Sequence, residues 1–198
     1  GHQLLKGKTV LITAAAGTGI GFSTAKRCLE EGAQVMISDI HERRLGEAVA
    51  ELEKVTGQKV ASQLCNVRED GEVRKLIAGA VEKLGVIDVL FNNAGLGGTT
   101  HVVDMTDDQW ASVIDITLTG TFRMTRAVLP HMTERGRGVI VNNASVLGWR
   151  AQVGQAHYAA AKAGVMALTR CSALEVADQG VRINAVSPSL ATHAFLTK

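Results

Sequence analysis

The sequence predicts an α/β fold in which a doubly wound parallel sheet carries helices on both faces. Two observations indicate this class. Short runs rich in Val and Ile alternate with longer amphipathic stretches, as successive β-α-β crossovers require. These short runs are apolar at most positions, which is typical of strands that are buried on both faces. The 198 residues are enough for about one domain of this kind.

The first half of the chain contains three strand–helix pairs. Each strand is a short run with β-branched residues, and each helix is an amphipathic stretch that follows it. In chain order the pairs are Thr9–Thr13 with Ile20–Glu31, Gln34–Asp39 with Glu42–Val55, and Val60–Val67 with Glu69–Leu84. Glycines at the junctions, such as Gly32 and Gly57, indicate helix ends.

The second half of the chain continues the same alternation with longer helices. It contains the strand Val86–Phe91, a helical region over Asp107–Arg135, the strand Gly138–Asn143, a helix over Gln155–Asp178 and the strand Val181–Val186. No linker or low-complexity segment interrupts this pattern. We therefore expect one dinucleotide-binding and catalytic domain over residues 1–198.

The composition excludes several classes of protein. A hydrophobic content of 46% supplies enough apolar side chains for a core, which argues against disorder. The 21 basic and 19 acidic residues are interspersed, so we expect no nucleic-acid partner. The three cysteines Cys28, Cys65 and Cys171 are far apart and predict neither a disulfide framework nor a metal site. No apolar run approaches the roughly 20 residues of a membrane span, and a cytoplasmic location is expected.

A glycine-rich loop lies between the first predicted strand and the first predicted helix. Residues 13–21 read TAAAGTGIG. Glycines at this junction let backbone amides approach a pyrophosphate, and the helix amino terminus attracts phosphate. The alternative is a purely structural tight turn. The candidate cofactor-binding residues of the loop are Thr13, Gly17, Thr18, Gly19, Ile20 and Gly21.

Asp39 ends the second predicted strand, 22 residues after Gly17. A carboxylate there would accept hydrogen bonds from the ribose hydroxyls of an adenosine and would repel a 2′-phosphate, which favours NAD over NADP. Two alternatives stay open. In the first, Asp39 caps the amino terminus of the following helix instead of binding ribose. In the second, Arg43 and Arg44 weaken the exclusion of NADP; this would not apply if both arginines face solvent.

Three residues form a candidate catalytic set. Tyr158 and Lys162 have the i,i+4 spacing that places two side chains on one helix face. A neighbouring ammonium favours the phenolate, so we expect a lowered pKa at Tyr158 and proton exchange with an alcohol or carbonyl oxygen. Ser145 precedes Tyr158 by 13 residues, and its hydroxyl would hydrogen-bond the same substrate oxygen. Each motif alone is common, but their order after a glycine loop is specific.

With these motifs the chain resembles the short-chain dehydrogenase/reductase family over nearly its whole length. The segment Asn92-Asn93-Ala94-Gly95 and Pro188 also match that family, although the former alone would read as a strand-ending turn. The resemblance implies a Rossmann-type sheet and hydride exchange between a nicotinamide nucleotide and a carbonyl or alcohol substrate. Tyr158 would be the acid/base, Ser145 would polarise the oxygen, and Lys162 would tune Tyr158 and bind the nicotinamide ribose. The further cofactor contacts implied are Asn66, Val67, Asn93, Ala94, Gly95, Tyr158, Lys162 and Pro188.

Four positions depart from the family pattern. Ala14 follows Thr13 where glycine is usual, in a loop that is one residue longer. Asn66 replaces an acidic residue on the adenine side, and Ser189 replaces a glycine after Pro188. Thr117 replaces the asparagine of a catalytic tetrad. Because that asparagine acts through its backbone carbonyl, we expect Thr117 to keep the proton relay.

Family members continue beyond the sixth strand into a lid segment, a further strand and a helix that forms a dimer contact. Since the sequence stops at Lys198, we expect a domain that is truncated at its carboxyl end, without that strand and most of the lid. The resemblance also implies a homodimer or homotetramer. Met124, Val128, Val165 and Leu168 would serve that contact or the core.

The expected substrate is a moderately large, mostly apolar carbonyl or secondary alcohol. Leu147, Trp149 and Val153 supply an apolar wall after Ser145, while Arg150 and His157 would meet a polar group or lie at the surface. A 3-oxoacyl thioester and a steroid-like ketone both fit this description. The alternative function is a nicotinamide-nucleotide-binding protein without turnover, which Ala14 in the glycine loop, Thr117 and the expected truncation after the sixth strand favour.

Overall fold

Six parallel strands form one sheet at the centre of the protein, in a computed structural model that describes residues 1–191. The strands are β1 (Thr9–Ile12), β2 (Gln34–Asp39), β3 (Ala61–Leu64), β4 (Val89–Asn92), β5 (Gly138–Asn143) and β6 (Val181–Val186). Their order across the sheet is β3-β2-β1-β4-β5-β6. The strand order changes direction between β1 and β4, which opens a crevice at their carboxyl ends. The predicted doubly wound parallel sheet of Rossmann type is confirmed.

Helices cover both faces of this sheet. They are α1 (Ile20–Glu30), α2 (Glu42–Thr56), α3 (Asp70–Leu84), α4 (Asp107–Ile114), α5 (Gly120–Glu134) and α6 (Ala156–Val176). A π-helical segment, Asp115–Thr119, joins α4 to α5, so the helical region predicted over Asp107–Arg135 contains a widened turn. In the described residues no helix is long and apolar enough to span a bilayer. The predicted start of a lid segment near Lys198 lies outside the described residues.

The core has two apolar layers, one on each face of the sheet. Leu11 and Met36 pack in the layer that contains residues of α3 and α5, whereas Ile12 and Ile37 pack in the layer that contains residues of α1 and α2. This division follows from the strand geometry, because successive side chains of a strand point to opposite faces. The crevice at the carboxyl ends of β1 and β4 therefore borders a sheet that is packed against helices on both faces.

The core also accounts for helix residues that the sequence left undecided. Met124, Val128 and Val165 are buried within the chain, whereas Leu168 is only partly buried. The first three are therefore core residues and have no surface to offer a partner subunit.

The strand β4 begins at Val89, three residues later than the predicted strand Val86–Phe91. Two side chains, one in the last turn of α5 and one directly after that helix, form hydrogen bonds with the backbone that precedes β4. The Ile87 amide donates to Nε2 of His131 (3.1 Å), and the Ile87 carbonyl accepts from Arg135 (2.9 Å). Because these groups are already paired, the sheet ladder starts only after them.

The edge strand β3 is also shorter than the predicted Val60–Val67. The Val60 amide donates to the carboxylate of Glu53 (3.1 Å), and the Asn66 amide donates to that of Glu72 (2.7 Å). Side chains of the flanking helices thus satisfy the backbone at both ends of the strand, and the residues beyond it are free to line the crevice.

Ala14 follows β1 in a left-handed backbone conformation, with φ at +50°. A side chain with a Cβ is disfavoured there by about 1–2 kcal/mol. This is the position at which the family named above usually has glycine. The loop therefore keeps a glycine-type turn although alanine occupies it.

We predict that Ala14→Gly raises the free energy of unfolding by about 1 kcal/mol, because relief of the left-handed alanine exceeds the added entropy of the unfolded chain. For a chain of this size, thermal denaturation would show an increase in Tm of about 2–4 °C. Ala15→Gly is the matched control and should lower Tm, since Ala15 is buried and not in a left-handed conformation. A lower Tm for Ala14→Gly would contradict the account of this turn.

Candidate active site

A hydrogen-bonded network at the carboxyl edge of the sheet joins the glycine-rich loop to β4 and β5. The Thr13 hydroxyl accepts from the backbone amides of Asn93 (2.9 Å) and Ala94 (3.1 Å). The Asn93 side chain donates to the Ala14 carbonyl (2.9 Å) and accepts from the side chain of Asn143 (2.9 Å). Three loops that meet at the crevice are thereby fixed relative to one another.

The loop has the shape that a pyrophosphate needs. Gly17 has φ at +99°, in the region that favours glycine, and a Cβ there would point into open space. A Cβ on Gly21 would lie 2.6 Å from the Ala14 carbonyl oxygen, so only glycine lets α1 pack this closely on the loop. Thr18, Gly19 and Ile20 line a cavity of about 540 Å³ where α1 begins. The residues present therefore fit a dinucleotide phosphate.

A second cavity, of about 490 Å³, lies beside the end of β2. Of the predicted cofactor residues, it is lined by Asp39, Asn66, Val67, Ala94 and Gly95. The structure thus brings together residues from the ends of β2, β3 and β4, as expected for the adenosine side of the crevice.

The Asp39 carboxylate is 8% exposed and is oriented by two backbone amides. It accepts from Ala16 (3.2 Å) and from His41 (3.1 Å). His41 is the N-cap residue of α2, and its own side chain makes no capping hydrogen bond. Asp39 therefore accepts from the N-cap amide of this helix, and its remaining lone pairs are available at the cavity.

The two arginines that follow Asp39 have different environments. Arg43 is exposed and pairs with Glu47 (2.6 Å) on the outer face of α2. Arg44 lines the same cavity as Asp39. Of the two arginines, Arg44 therefore shares a cavity with Asp39, whereas Arg43 forms an ion pair outside it.

Arg123 holds the wall of this cavity against the helical segment that carries Thr117. Its guanidinium donates to the Val67 carbonyl (3.3 Å) and to the Asp115 carboxylate (2.8 Å). Asp115 also accepts from Arg68 (2.9 Å). Burial opposes ionisation of Asp115, but the two guanidiniums prevail and lower its pKa. The adenine side and the Thr117 segment are therefore linked by a charged contact.

The candidate catalytic side chains meet at the amino-terminal turns of α6. The Nζ atom of Lys162 lies 5.5 Å from the ring centroid of Tyr158, as the i,i+4 spacing predicts. Lys162 is 3% exposed, and its ammonium donates a hydrogen bond to the Asn143 carbonyl. Among the described residues it has no carboxylate in ion-pair contact. Burial consequently lowers the pKa of Lys162 to about 8.

The pKa of Tyr158 shifts in the direction opposite to the sequence prediction. Burial of the phenol raises the pKa, while the hydrogen-bonding Ser145 hydroxyl lowers it by a smaller amount. The lowered pKa expected from the Lys162 ammonium was therefore wrong, because desolvation outweighs the neighbouring polar groups. At neutral pH both the phenol and the ammonium hold their protons.

Ser145 is held at the end of β5 by its own turn. Its hydroxyl accepts from the Leu147 amide (3.2 Å) at the start of a short 3₁₀ turn, Val146–Gly148. The amide of Val146 donates to the Pro188 carbonyl (3.0 Å), which places Pro188 beside Ser145. The residue predicted from the family pattern after β6 thus borders the catalytic set.

Thr117 is fully buried and uses both its hydroxyl and its carbonyl. The hydroxyl accepts from the Leu96 amide (2.9 Å) and donates to the Leu96 carbonyl (3.1 Å). The Thr117 carbonyl accepts from the Thr121 hydroxyl (2.8 Å). Gly95 separates this residue from Lys162, since a Cβ on Gly95 would lie 3.7 Å from the Thr117 hydroxyl and 3.6 Å from Nζ. The side chain therefore anchors the loop after β4.

Two features of the site escaped the sequence analysis. The acceptor for Lys162 is the backbone carbonyl of Asn143, and a backbone carbonyl leaves no signal in residue type. His157 is 2% exposed rather than at the surface, and its position next to Tyr158 was the available signal. In the part of the chain that the structure describes, no group of three or more His, Cys, Asp or Glu residues is placed to hold a metal ion.

Comparison with known proteins agrees with this geometry. A family profile described as short chain dehydrogenase matches residues 8–197. A Mycobacterium tuberculosis protein named "(5R,7aS)-5-hydroxy-7a-methyl-1-oxo-2,3,5,6,7,7a-hexahydro-1H-indene-carboxyl-CoA reductase" is 61% identical over 199 residues, which cover 100% of this chain and 76% of that protein. The 3-oxoacyl-[acyl-carrier-protein] reductase FabG of Thermotoga maritima is 41% identical over 184 residues, covering 93% and 74%.

A solved structure has the same fold over nearly the whole of this chain. The crystal structure of a short chain dehydrogenase from Mycobacterium smegmatis superposes with a TM-score of 0.93 at 61% identity, covering 97% of this chain and 80% of that one. The family match, the two relatives and the shared fold agree with the motifs quoted above. The chain therefore belongs to the short-chain dehydrogenase/reductase family of oxidoreductases.

Proposed function

We propose that this protein reduces a ketone carbonyl of a moderately large, apolar, thioester-linked substrate, with NADH as the preferred cofactor. The observation that carries this proposal is the geometry of the catalytic set: Lys162 Nζ lies 5.5 Å from the Tyr158 ring centroid, and the Ser145 hydroxyl is within hydrogen-bonding reach of the phenol. Burial keeps the Tyr158 phenol protonated at neutral pH, and the buried Lys162 ammonium has a pKa of about 8. A phenol that holds its proton is suited to donate it, as reduction of a carbonyl requires.

The residues of the crevice would hold the cofactor in an extended arrangement, and the family uses nicotinamide cofactors. The glycine-rich loop fits the pyrophosphate, and Asp39 would accept from the adenosine ribose. Asn66 and Val67 would flank the adenine. Ala94 and Gly95 would contact the adenosine side, where they line the same cavity as Asp39. Contacts on the nicotinamide side would come from Tyr158, Lys162 and Pro188, and Asn93 would be a further cofactor contact.

The chain's own residues supply the proton and the polarisation in the proposed reaction. The hydride for the carbonyl carbon would come from a reduced nicotinamide held by these residues. Tyr158 donates its phenolic proton to the carbonyl oxygen, while Ser145 donates a hydrogen bond to the same oxygen. The C=O π bond is replaced by one C–H and one O–H bond, and the resulting phenolate is stabilised by the Lys162 ammonium.

The substrate class is supported by the relatives and by exposed apolar residues. The two curated relatives are named as reductases of a carboxyl-CoA compound and of a 3-oxoacyl group on acyl carrier protein. Leu96, in the loop after β4, and Trp149 and Val153, in the segment between β5 and α6, are exposed apolar residues. An apolar acyl or ring system would bury this surface.

Two departures from the family pattern that favour a binding protein without turnover are accommodated locally in the fold. Ala14 keeps the left-handed turn of the loop, and Thr117 is buried with its hydrogen bonds satisfied. Neither departure displaces Ser145, Tyr158 or Lys162 from one another.

We predict that Tyr158→Phe lowers kcat for carbonyl reduction by roughly 10²–10⁴-fold, because the proton donor is lost. The Kd for NADH, measured by fluorescence titration, should change by less than about 2-fold, since phenylalanine keeps the packing of the ring. A 3-oxoacyl-CoA and a bicyclic ketone thioester are suitable substrates, with NADH oxidation followed by absorbance. Loss of binding together with turnover would contradict the assigned role, and NADH binding without turnover of either substrate by the unmodified protein would favour the binding protein.

The pH dependence of kcat for reduction should follow the ionisation of the Lys162 ammonium. Its pKa is lowered to about 8, so the ammonium is charged below that pH and neutral above it. Because the charge stabilises the phenolate that forms at Tyr158, kcat should fall as the pH rises through about 8. Lys162→Met should have low activity, and its kcat should not fall near pH 8. A fall of kcat near pH 8 in Lys162→Met would show that another group causes the pH dependence.

Cofactor preference should depend on Asp39 and Arg44. We predict that Asp39→Asn weakens NADH binding by about 10-fold or more, since hydrogen bonds to a charged group contribute about 1.5–3 kcal/mol. NADPH should bind more tightly to this variant, because repulsion of the 2′-phosphate is removed while Arg44 remains.

Two further variants control this measurement. Asp39→Asn combined with Arg44→Gln should lose the gain in NADPH affinity. Arg43→Gln should bind both nucleotides like the unmodified protein, because Arg43 pairs with Glu47 on the outer face. A tighter NADPH complex in the unmodified protein than in Asp39→Asn would contradict the ribose role of Asp39.

A further inference from the structure

His157 is a buried titratable residue that the proposed reaction does not use. It directly precedes Tyr158 in the first turn of α6 and is 2% exposed. A fully buried imidazole needs hydrogen-bond partners, because an unpaired polar group is costly in the interior. Its contacts therefore indicate what it does.

One edge of the imidazole binds the backbone of the catalytic tyrosine. Nδ1 of His157 accepts from the amide of Tyr158 (2.9 Å). The neutral ring must then carry its proton on Nε2. The amide of Tyr158 lies in the first turn of α6, where amides have no acceptor from the helix itself. The imidazole thus restrains the backbone amide of the residue that carries the phenol.

The other edge of the imidazole faces a two-glycine loop. A Cβ on Gly98 would lie 3.4 Å from Nε2 of His157, and a Cβ on Gly97 would lie 3.7 Å from the Tyr158 ring. Because both glycines lack a side chain, their loop packs closely against the imidazole and the phenol.

Both ends of this loop are anchored. At one end the Thr117 hydroxyl binds both the amide and the carbonyl of Leu96. At the other end the Gln155 side chain donates to the carbonyl of Gly98 (2.7 Å). The contact on His157 thus comes from a segment that cannot easily move away.

We propose that His157 is a positioning residue: its Nδ1 atom holds the amide of Tyr158 and thereby keeps the phenol buried and aimed at the substrate oxygen. This inference rests on the proposed function for the role of Tyr158 in reduction. The contact itself is independent of turnover.

The test compares three substitutions in the full chain. His157→Asn places an amide oxygen close to the position of Nδ1 and keeps an acceptor for the Tyr158 amide. His157→Gln keeps a buried polar side chain but places its amide near the position of Nε2. His157→Leu removes all polar atoms. The asparagine and glutamine variants are the matched pair, because they differ in the position of the acceptor and both retain a polar group.

We expect His157→Gln and His157→Leu to lower kcat by about 10-fold, the size of effect that follows from one lost hydrogen bond and a displaced catalytic group. His157→Asn should stay within about 3-fold of the unmodified protein. The Kd for NADH should be the same in all three variants within about 2-fold, since His157 does not line the nucleotide cavities.

A second readout does not require turnover. Tyr158 is the only tyrosine of the sequence, so the ultraviolet absorbance of phenolate reports this residue alone. In His157→Gln its ionisation midpoint should fall toward that of an exposed phenol, because water reaches the loosened turn. In His157→Asn the midpoint should match the unmodified protein.

Equal impairment of His157→Asn and His157→Gln would overturn the proposal, as would an unchanged kcat and midpoint in His157→Gln. If the unmodified protein reduces no carbonyl substrate, the proposed function fails. The shift of the Tyr158 midpoint in His157→Gln, and its absence in His157→Asn, would still support the positioning contact.

Discussion

A buried ammonium is the constraint on which the site depends. Lys162 is almost inaccessible to water, and a charge in such a place is unfavourable unless hydrogen bonds replace its hydration. The carbonyl of Asn143 provides this replacement, which ties α6 to the end of β5. Because the acceptor found within residues 1–191 is neutral, burial lowers the pKa of Lys162 to about 8 and leaves Tyr158 beside a group that titrates near physiological pH.

Two consecutive asparagines at the end of β5 connect the catalytic helix to the nucleotide loop. Asn142 accepts from the Asn92 side chain (2.9 Å) on one face of the sheet and donates to Thr169 of α6 (2.9 Å). Asn143 donates to Asn93 (2.9 Å), which in turn binds the glycine-rich loop. Since successive side chains of a strand face opposite sides, one short strand end positions both halves of the site.

The sequence predicts those parts of the molecule that local patterns determine. The alternation of strands and helices, the glycine-rich loop and the spacing of Tyr158 and Lys162 all depend on neighbours along the chain. The start of β4 depends instead on His131 and Arg135, two side chains from the carboxyl end of α5 and the residue after it. Both form hydrogen bonds with the backbone of Ile87, just before the strand. The sign of the Tyr158 pKa shift also requires the tertiary structure, because burial competes there with charge.

The central claim is that the fold holds Tyr158 as a proton donor, and the direct measurement is an ultraviolet absorbance titration of the unmodified protein without nucleotide. With one tyrosine in the sequence, the phenolate signal needs no assignment. The account predicts an ionisation midpoint above 10, the ordinary value for tyrosine. A midpoint below 10 would contradict it, since Tyr158 would then be tuned to lose its proton.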